Sequence, residues 1–254
     1  MATLRAPLQG VWNVVRFNWH FYAGALVAGL ALGALTLAGP AGLRPCALVL
    51  LALVLLPVLG SLLATAYVYD FAGLYQFDWL PATLPPTARV LTISAGFDEV
   101  SAPLAARYGP GQVQAADFYD PARHTEASIR RARRAYPPFP NTMAISTTAS
   151  LPLPDAGLHL IVAFLAAHEI RQDGERAAFF RELGRVLAPT GTLVVTEHLR
   201  DPANFLAYTL GFLHFHSRQT WLRTFRSAGL RVAHEMRTTP LITTFFLCRD
   251  DYAA

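Results

Sequence analysis

Residues 182–198 read ELGRVLAPTGTLVVTEH, which combines the end of a helix pattern, a proline–glycine turn and an apolar strand pattern. In the helix pattern, Phe179, Phe180 and Leu183 recur at the spacing of one helical face. A helix that leads directly into an apolar strand is the repeating unit of a parallel sheet covered by helices. This stretch therefore predicts an α/β fold.

The same alternation extends in both directions along the chain. Two apolar segments at the end, residues 230–236 and 241–248, are separated only by MRTTP and predict an antiparallel hairpin. Further strands are predicted at residues 89–94, 112–117, 142–146, 158–165 and 192–198. Helices are predicted at residues 99–109, 122–136, 175–187 and 217–230. The expected domain is an open α/β sheet that finishes in an antiparallel pair.

Two long uncharged stretches precede this domain. No charged residue lies between Phe21 and Gly39, and none lies between Cys46 and Tyr69. As helices they would each span about 30 Å, the thickness of a hydrocarbon core. We interpret them as transmembrane helices at about residues 21–39 and 46–69. The first stretch alone also fits a signal peptide, and the pair also fits a buried hairpin, although the remaining chain is short for enclosing one.

The arginines around these stretches set the predicted topology. Arg5 and Arg16 precede the first span, whereas Arg44 is alone in the connecting loop. This bias places both termini in the cytoplasm. We predict a membrane anchor at residues 1–70, an interfacial linker at 71–88 and a cytoplasmic domain at 89–254. The predicted location is the cell (inner) membrane, with more than one crossing.

Three segments carry a resemblance to a known family. ELGRVLAPTGTLVVTEH, LPLPDAGLHLIV (151–162) and TWLRTFRSAGL (220–230) resemble segments of class I S-adenosylmethionine-dependent methyltransferases, in particular the small-molecule enzymes related to ubiquinone and menaquinone biosynthesis. The resemblance covers residues 89–249. It implies a Rossmann-like, seven-stranded methyltransferase sheet with an antiparallel C-terminal hairpin, preceded here by the transmembrane helical hairpin. It also implies S-adenosylmethionine as the cofactor.

The family's cofactor turn normally has an acid followed by spaced glycines after the first strand. In VLTISAGFDEV (90–100) these positions fall on Thr92, Ser94, Gly96 and Asp98, so that only Gly96 matches. Glycine lets the backbone approach a ligand closely. The small Ser94 leaves room for an adenosyl group, but Thr92 cannot supply the charge of an acid.

Two later positions complete the cofactor set that the resemblance implies. Asp117 ends the second strand, where the family places an acid that accepts both ribose hydroxyls. A helix-capping role for Asp117 is the open alternative. Thr147 stands where a third contact is usually acidic. The implied cofactor-binding residues are Thr92, Ser94, Gly96, Asp98, Asp117 and Thr147.

Polar residues lie at the carboxyl ends of the fourth and fifth strands, at the edge where open α/β sheets bind ligands. These residues are His168 and Glu169 in AHEIR and His198 in TEHLRD. Methyl transfer depends mainly on alignment, and a base is needed only where the acceptor must lose a proton. We predict His168, Glu169 and His198 as catalytic residues, and a capping or packing role for His168 is the alternative.

No metal is predicted. HEIRQ does not have the HExxH spacing of zinc enzymes, and His214 and His216 lie two residues apart without an evident third ligand.

The segment DPANFLAYTLGFLHFHS (201–217) bears on the acceptor. Its aromatic residues Phe205, Tyr208, Phe212 and Phe215 would line an apolar acceptor site or pack onto the sheet or the membrane hairpin. The arginine-rich helix pattern at 122–136 fits a solvated helix face, and beside a membrane anchor it also suits contact with anionic headgroups. Nucleic acid is not an expected partner because no recognition motif is present. The oligomeric state is left open.

The sequence therefore predicts a membrane-anchored S-adenosylmethionine-dependent methyltransferase that acts on a lipophilic small molecule or lipid. The replaced positions Thr92, Ser94, Asp98 and Thr147 leave two alternatives. One is a non-catalytic, methyltransferase-like binding module at the membrane, and the other is an atypical use of S-adenosylmethionine.

Overall fold

The structure is a computed structural model that describes residues 5–250. The predicted strands and helices occur in the predicted order, preceded by three helices. The α-helices are α1 Gln9–Phe17, α2 Trp19–Ala38, α3 Arg44–Ala66, α4 Ser101–Tyr108, α5 Ala127–Ala135, α6 Asp173–Val186, α7 Pro202–Tyr208 and α8 Arg218–Ser227. The strands are β1 Val90–Ser94, β2 Val113–Asp117, β3 Met143–Ala144, β4 Leu158–Phe164, β5 Leu187–His198, β6 Leu230–Thr239 and β7 Ile242–Arg249.

The strands form a seven-stranded sheet in the order β3-β2-β1-β4-β5-β7-β6. Strands β1 to β5 pair in parallel, whereas β7 is antiparallel to both β5 and β6. This confirms the predicted Rossmann-like methyltransferase sheet with its antiparallel C-terminal hairpin. The order reverses beside β1, because the chain continues from β1 to β2 on one side and from β4 to β5 on the other, and a crevice opens at the carboxyl ends of β1 and β4.

Each face of the sheet is covered by a separate apolar cluster. On one face Phe179 and Phe180 of α6 pack with Trp221 and Phe225 of α8. On the other face Leu104 of α4 packs with residues from the segment that follows α3, namely Val68, Leu74, Phe77 and Leu80. The chain between the apolar helices and β1 is therefore part of the core. The division into an anchor at 1–70, a linker at 71–88 and a domain at 89–254 stays a prediction.

The helices α2 and α3 are long and apolar enough to cross a membrane. They cover most of the predicted spans at 21–39 and 46–69, and α3 continues through a π-helical turn at Tyr67–Phe71. No residue of α2 is buried among the described residues. Leu30, Leu37, Leu56 and Leu63 each expose about two-thirds or more of their surface.

The helix α1 is separate from α2 and crosses the end of α3. The Asp70 carboxylate accepts hydrogen bonds from the backbone N–H groups of Gly10 and Val11, at 2.7 and 3.1 Å. These contacts satisfy donors that the start of a helix leaves unpaired. A Cβ at Gly10 would lie 2.4 Å from Cβ of Tyr69, so this close crossing requires glycine.

The helix predicted at residues 122–136 is shorter than expected. It begins only at Ala127 because the preceding residues form a turn around Asp120. The side chain of Asp120 accepts from the backbone N–H of Ala122 at 2.8 Å, and its carbonyl accepts from the N–H of His124 at 2.8 Å. An aspartate that satisfies nearby N–H groups favours a turn over a helix.

Candidate functional site

A cavity of about 350 Å³ lies at the carboxyl ends of β1, β4 and β5. Its floor includes the turn after β1 and the residues that follow β4 and end β5. Its roof comes from α1, α5 and the end of α3. The volume is in the usual range for small-molecule sites. The cavity is therefore placed where this type of sheet binds ligands, and it is covered by elements that precede β1 or follow β2.

The turn after β1 is shaped by Gly96. Its φ of +93° is one that residues with a side chain rarely adopt, and a Cβ there would lie 2.8 Å from the ring of Tyr119. The Gly96 N–H donates to Asp117 Oδ1 at 2.7 Å. The one glycine that matches the family's cofactor turn is thus the residue that lets this turn bend back toward the end of β2.

Asp98 lines the cavity with an unpaired oxygen. Its Oδ1 accepts from the N–H groups of Val100 and Ser101, at 3.0 and 2.9 Å, where α4 begins. Its Oδ2 is buried and has no hydrogen-bond partner among residues 5–250. A buried acceptor without a donor is costly unless a ligand satisfies it. Asp98 therefore provides an acidic group that can accept hydrogen bonds from a cationic amine.

Asp117 is placed at the end of β2 but is already occupied. Its Oδ1 also accepts from the N–H of Tyr119 at 2.9 Å, and its Oδ2 accepts from Arg133 of α5 at 2.5 Å. The same guanidinium lies 4.3 Å from the centre of the Tyr119 ring. A ribose diol can bind Asp117 only after Arg133 moves away.

Three other predicted cofactor residues have different environments. Thr92 is buried in β1, where its hydroxyl lies 2.5 Å from that of Ser101. Ser94 lines the cavity, and its hydroxyl donates to the Ala116 carbonyl at 3.4 Å. Thr147 lies outside the cavity lining and donates to Glu175, which also pairs with Arg123. Of these residues, only Ser94 is brought to the cavity.

The residues present fit S-adenosylmethionine under one condition. The unpaired Asp98 oxygen and the space beside Ser94 suit a charged amino acid end, and Asp117 has the right chemistry for the ribose. The condition is that Arg133 leaves Asp117, since the guanidinium otherwise takes the place of the ribose hydroxyls.

His168 is held by the buried carboxylate of Glu197. Its Nδ1 lies 2.7 Å from Glu197 Oε2, and its backbone N–H donates to Oε1 at 3.1 Å. Burial by itself would lower the pKa of His168, but Glu197 and Glu169 outweigh it and raise that pKa to about 10. The two carboxylates therefore favour the protonated form of His168, which suits a proton donor better than a proton acceptor.

Glu169 lies between two histidines on the cavity wall. Burial would raise its pKa, but hydrogen bonds with His168 and His214 hold the pKa well below its ordinary value. Its Oε1 lies 3.4 Å from His168 Nε2 and 3.2 Å from His214 Nε2. Glu169 is therefore ionised across the range in which the protein would function.

His198 is the neutral histidine of the site. Burial lowers its pKa to about 4, although the hydrogen bond to Asn204 opposes the shift. Its Nδ1 faces the Asn204 side-chain oxygen at 2.8 Å and the Leu241 carbonyl at 3.0 Å, so Nδ1 carries the proton. Its Nε2 then accepts a hydrogen bond from the Tyr69 hydroxyl at 2.8 Å. His198 therefore presents an unprotonated nitrogen to Tyr69, and both residues line the cavity.

Sequence reasoning missed Tyr69 as a site residue because it was read as the end of a membrane span. It also did not select Glu197, which directly precedes His198 in TEHLRD. Of the aromatic residues predicted for the acceptor site, Tyr208 and Phe215 line the cavity. Phe205 is about half exposed and contacts Phe212, with ring centres 5.1 Å apart.

We predict that acid destabilises the fold partly through His198. A histidine with a folded pKa of about 4 and an ordinary value of 6.5 stabilises the fold above pH 6.5 and loses that contribution as the pH falls to 4. The loss is about 3 kcal/mol for this residue, and His216, whose pKa is also lowered to about 4, adds to it. The measurement is the free energy of unfolding in denaturant at several pH values.

The variant His198→Gln should lose about 3 kcal/mol less than the wild type between pH 6.5 and 4. The exposed His234 offers a matched control, since His234→Gln should retain the wild-type loss. An unchanged acid response in His198→Gln would contradict the assignment of a buried, neutral His198.

Comparison with known proteins connects this geometry to a family. A family model described as a methyltransferase domain matches residues 91–195, which run from β1 to β5. No match was found among curated proteins. A crystallised S-adenosylmethionine-dependent methyltransferase from Aquifex aeolicus is 15% identical, with a TM-score of 0.47 and coverage of 75% of this chain and 97% of that chain.

The structure of the mitomycin 7-O-methyltransferase is 16% identical, covers 97% of this chain and 74% of that chain, and has a TM-score of 0.51. At this identity the likeness shows the fold, which is that of the class I methyltransferases. Within that fold, residues 91–195, less than half of the 254-residue chain, match the methyltransferase domain family, and family and fold together imply S-adenosylmethionine as the cofactor.

Proposed function

We propose that this protein is a membrane-anchored, S-adenosylmethionine-dependent methyltransferase whose acceptor is a lipophilic molecule. The observation that carries this proposal is the position of the cavity. Its wall includes Ser61 and Thr65 of α3 and Tyr69 just beyond it, so the candidate second span leads directly into the site. An acceptor dissolved in the bilayer would reach the cavity without crossing water.

Exposed apolar side chains support the membrane location. They cover α2 and α3 and continue on the segment after β5, where Leu206, Leu210 and Leu213 are exposed. This segment packs beside α3 through α7. Large contiguous apolar surfaces mark a membrane or partner interface. We propose that both helices span the inner membrane and that the domain faces the cytoplasm.

The cofactor would lie between the turn after β1 and the end of β2. Asp98 Oδ2 would accept from its ammonium group, and Asp117 would accept from its ribose hydroxyls after release from Arg133. When bound, the cofactor supplies a methyl group on a positively charged sulfur. The chain's contribution is chiefly to align the acceptor with that group and to exclude water.

An acceptor hydroxyl would lose its proton to His198. The Nε2 atom carries no proton because Nδ1 donates to the Leu241 carbonyl and the Asn204 side-chain oxygen. The Tyr69 hydroxyl, 2.8 Å from Nε2, can either yield its place to the acceptor or pass the proton on. We propose a quinone-like, isoprenoid or lipid-headgroup acceptor, which fits beside the aromatic rings of Tyr208 and Phe215.

One observation favours a second candidate function. Because Arg133 fills the ribose position on Asp117, the domain is also suited to be a non-catalytic binding module with a permanently closed cofactor site. The two candidates differ in whether Arg133 can be displaced.

Calorimetry of S-adenosylmethionine binding in nanodiscs tests the cofactor assignment. Asp117→Ala should weaken binding at least about tenfold, because a hydrogen bond to a charged group contributes about 1.5–3 kcal/mol. Arg133→Gln should strengthen binding, because the carboxylate no longer has to be freed. Arg130→Gln, at an exposed position on the same helix, serves as the control and should bind as the wild type does.

If neither the wild type nor Arg133→Gln binds the cofactor, the methyltransferase proposal is wrong. If only Arg133→Gln binds, the non-catalytic module is favoured, because the natural chain then keeps its cofactor site closed.

Thiol labelling in cells tests the proposed topology. The chain has two cysteines, Cys46 at the start of α3 and Cys248 in β7. In a Cys46→Ser background we add Gly42→Cys in the loop between the spans, where a new side chain meets nothing within 4 Å. A membrane-impermeant maleimide should label the new thiol in intact cells, and Cys248 only after permeabilisation. Labelling of Cys248 in intact cells would contradict the proposed orientation.

A further inference from the structure

Two histidines and a carboxylate meet beside the cavity. The ligand atoms of His168, Glu169 and His214 all lie within 4.8 Å of one another. Glu169 Oε1 is 3.4 Å from His168 Nε2 and 3.2 Å from His214 Nε2. Ligands bound about 2.1 Å from a metal lie about 3.0–3.4 Å apart in octahedral or tetrahedral geometry. Both contacts with Glu169 already have this spacing.

A buried carboxylate orients one of these ligands. Glu197 is fully buried, and its two oxygens bind the Nδ1 and the backbone N–H of His168, at 2.7 and 3.1 Å. This fixes the imidazole ring so that Nε2 points toward Glu169. Metal-binding histidines almost always have such a partner on the second nitrogen. This contact is independent of the cluster and gives His168 the setting of a metal ligand.

An arginine occupies the place of a cation in the cluster. A guanidinium nitrogen of Arg171 lies 2.6 Å from His214 Nε2 and 3.5 Å from Glu169 Oε2. The Arg171 side chain is about two-fifths exposed, so it can swing into solvent. Glu126 adds a further carboxylate, 3.9 Å from His214 Nδ1. These carboxylates can therefore stabilise a metal cation at this position when the Arg171 guanidinium moves away.

We propose that His168 Nε2, Glu169 and His214 bind a divalent transition metal, with the remaining coordination positions open to the cavity. Two imidazoles and one carboxylate suit Zn²⁺, Fe²⁺, Co²⁺ or Mn²⁺. On binding, the metal replaces the proton of His168 Nε2, while Nδ1 still donates to Glu197. The sequence predicted no metal because it showed no third ligand near His214 and His216, whereas the fold brings two ligands, His168 and Glu169, from the loop after β4 to His214.

The metal's position suggests what it does. His168 and Glu169 line the cavity together with His198, so an oxygen of the acceptor could bind the metal on one side and face His198 on the other. This role rests on the proposed function, whereas metal binding itself does not.

The test uses metal-free, full-length protein in detergent, with any affinity tag removed. Co²⁺ is titrated and followed by its visible absorption, and bound metal is counted by mass spectrometry. One equivalent should bind, and Glu169→Gln and His214→Asn should each weaken binding at least about tenfold. Glu197→Gln should weaken it by about 10- to 100-fold without removing a direct ligand. His234→Gln, at an exposed histidine outside the cluster, is the matched control.

Arg171→Gln separates a metal site from a simple network of ion pairs. It should tighten Co²⁺ binding several-fold, because it removes the competing cation. Circular dichroism of each variant shows whether it is folded, and His214, which is partly exposed, gives a second ligand variant should Glu169→Gln misfold. The proposal is overturned if neither the wild type nor Arg171→Gln binds one equivalent, or if the ligand variants bind as the wild type does.

Cofactor binding is measured separately on the same samples. If the protein binds the metal but not S-adenosylmethionine, the metal site is supported and the methyltransferase proposal is wrong. If it binds S-adenosylmethionine but not the metal, only the metal-site proposal is wrong.

Discussion

The site depends on the contact between the end of α3 and the end of β5. The Tyr69 hydroxyl lies 2.8 Å from His198 Nε2, and this contact joins the longest apolar helix to the carboxyl edge of the sheet. The segment that follows then packs beneath the sheet through Leu74 and Phe77. Because these residues both cover the core and wall the cavity, the apolar helices and the site are parts of one structure.

The order of strands and helices could be predicted because each element is encoded locally. The apolar segments Val90–Ser94 and Leu158–Phe164 are bounded by turn residues, and the pattern of α6 repeats with the helical period. The helix at 122–136 was predicted too long because Asp120 supplies turn contacts that outweigh helical periodicity. The separate helix α1 could not be found locally, since Asp70, which binds its first turn, lies 60 residues away.

The site was only partly predictable because its pairs meet through the fold. His168 and Glu197 are 29 residues apart, and Tyr69 and His198 are 129 apart. The sequence identified the residues at the carboxyl ends of β4 and β5 but could not show which of them carry a proton. In the structure, Glu197 favours a protonated His168 whereas burial favours a neutral His198, although the sequence predicted both as catalytic residues.

In this structure, arginines pair with carboxylates at the two places where ligands are proposed to bind. Arg133 binds Asp117, where a ribose would bind, and Arg171 lies against Glu169 and His214, where a metal would bind. Each arginine gives a partly buried carboxylate a cationic partner in addition to its other hydrogen bonds. Ligand binding would therefore replace the arginine on each carboxylate with a group of the ligand, and the sheet itself would need little rearrangement.

The most direct test of the central claim is methyl transfer into the membrane. Protein in nanodiscs is incubated with S-adenosylmethionine labelled in its methyl group and with lipid extract, and both the extractable label and S-adenosylhomocysteine are measured. The two products should form in equal amounts, and both should fall at least about tenfold in Asp117→Ala at cofactor concentrations below saturation, because that variant binds the cofactor more weakly. Cofactor bound by the wild type with no label transferred to any lipid fraction would contradict this claim.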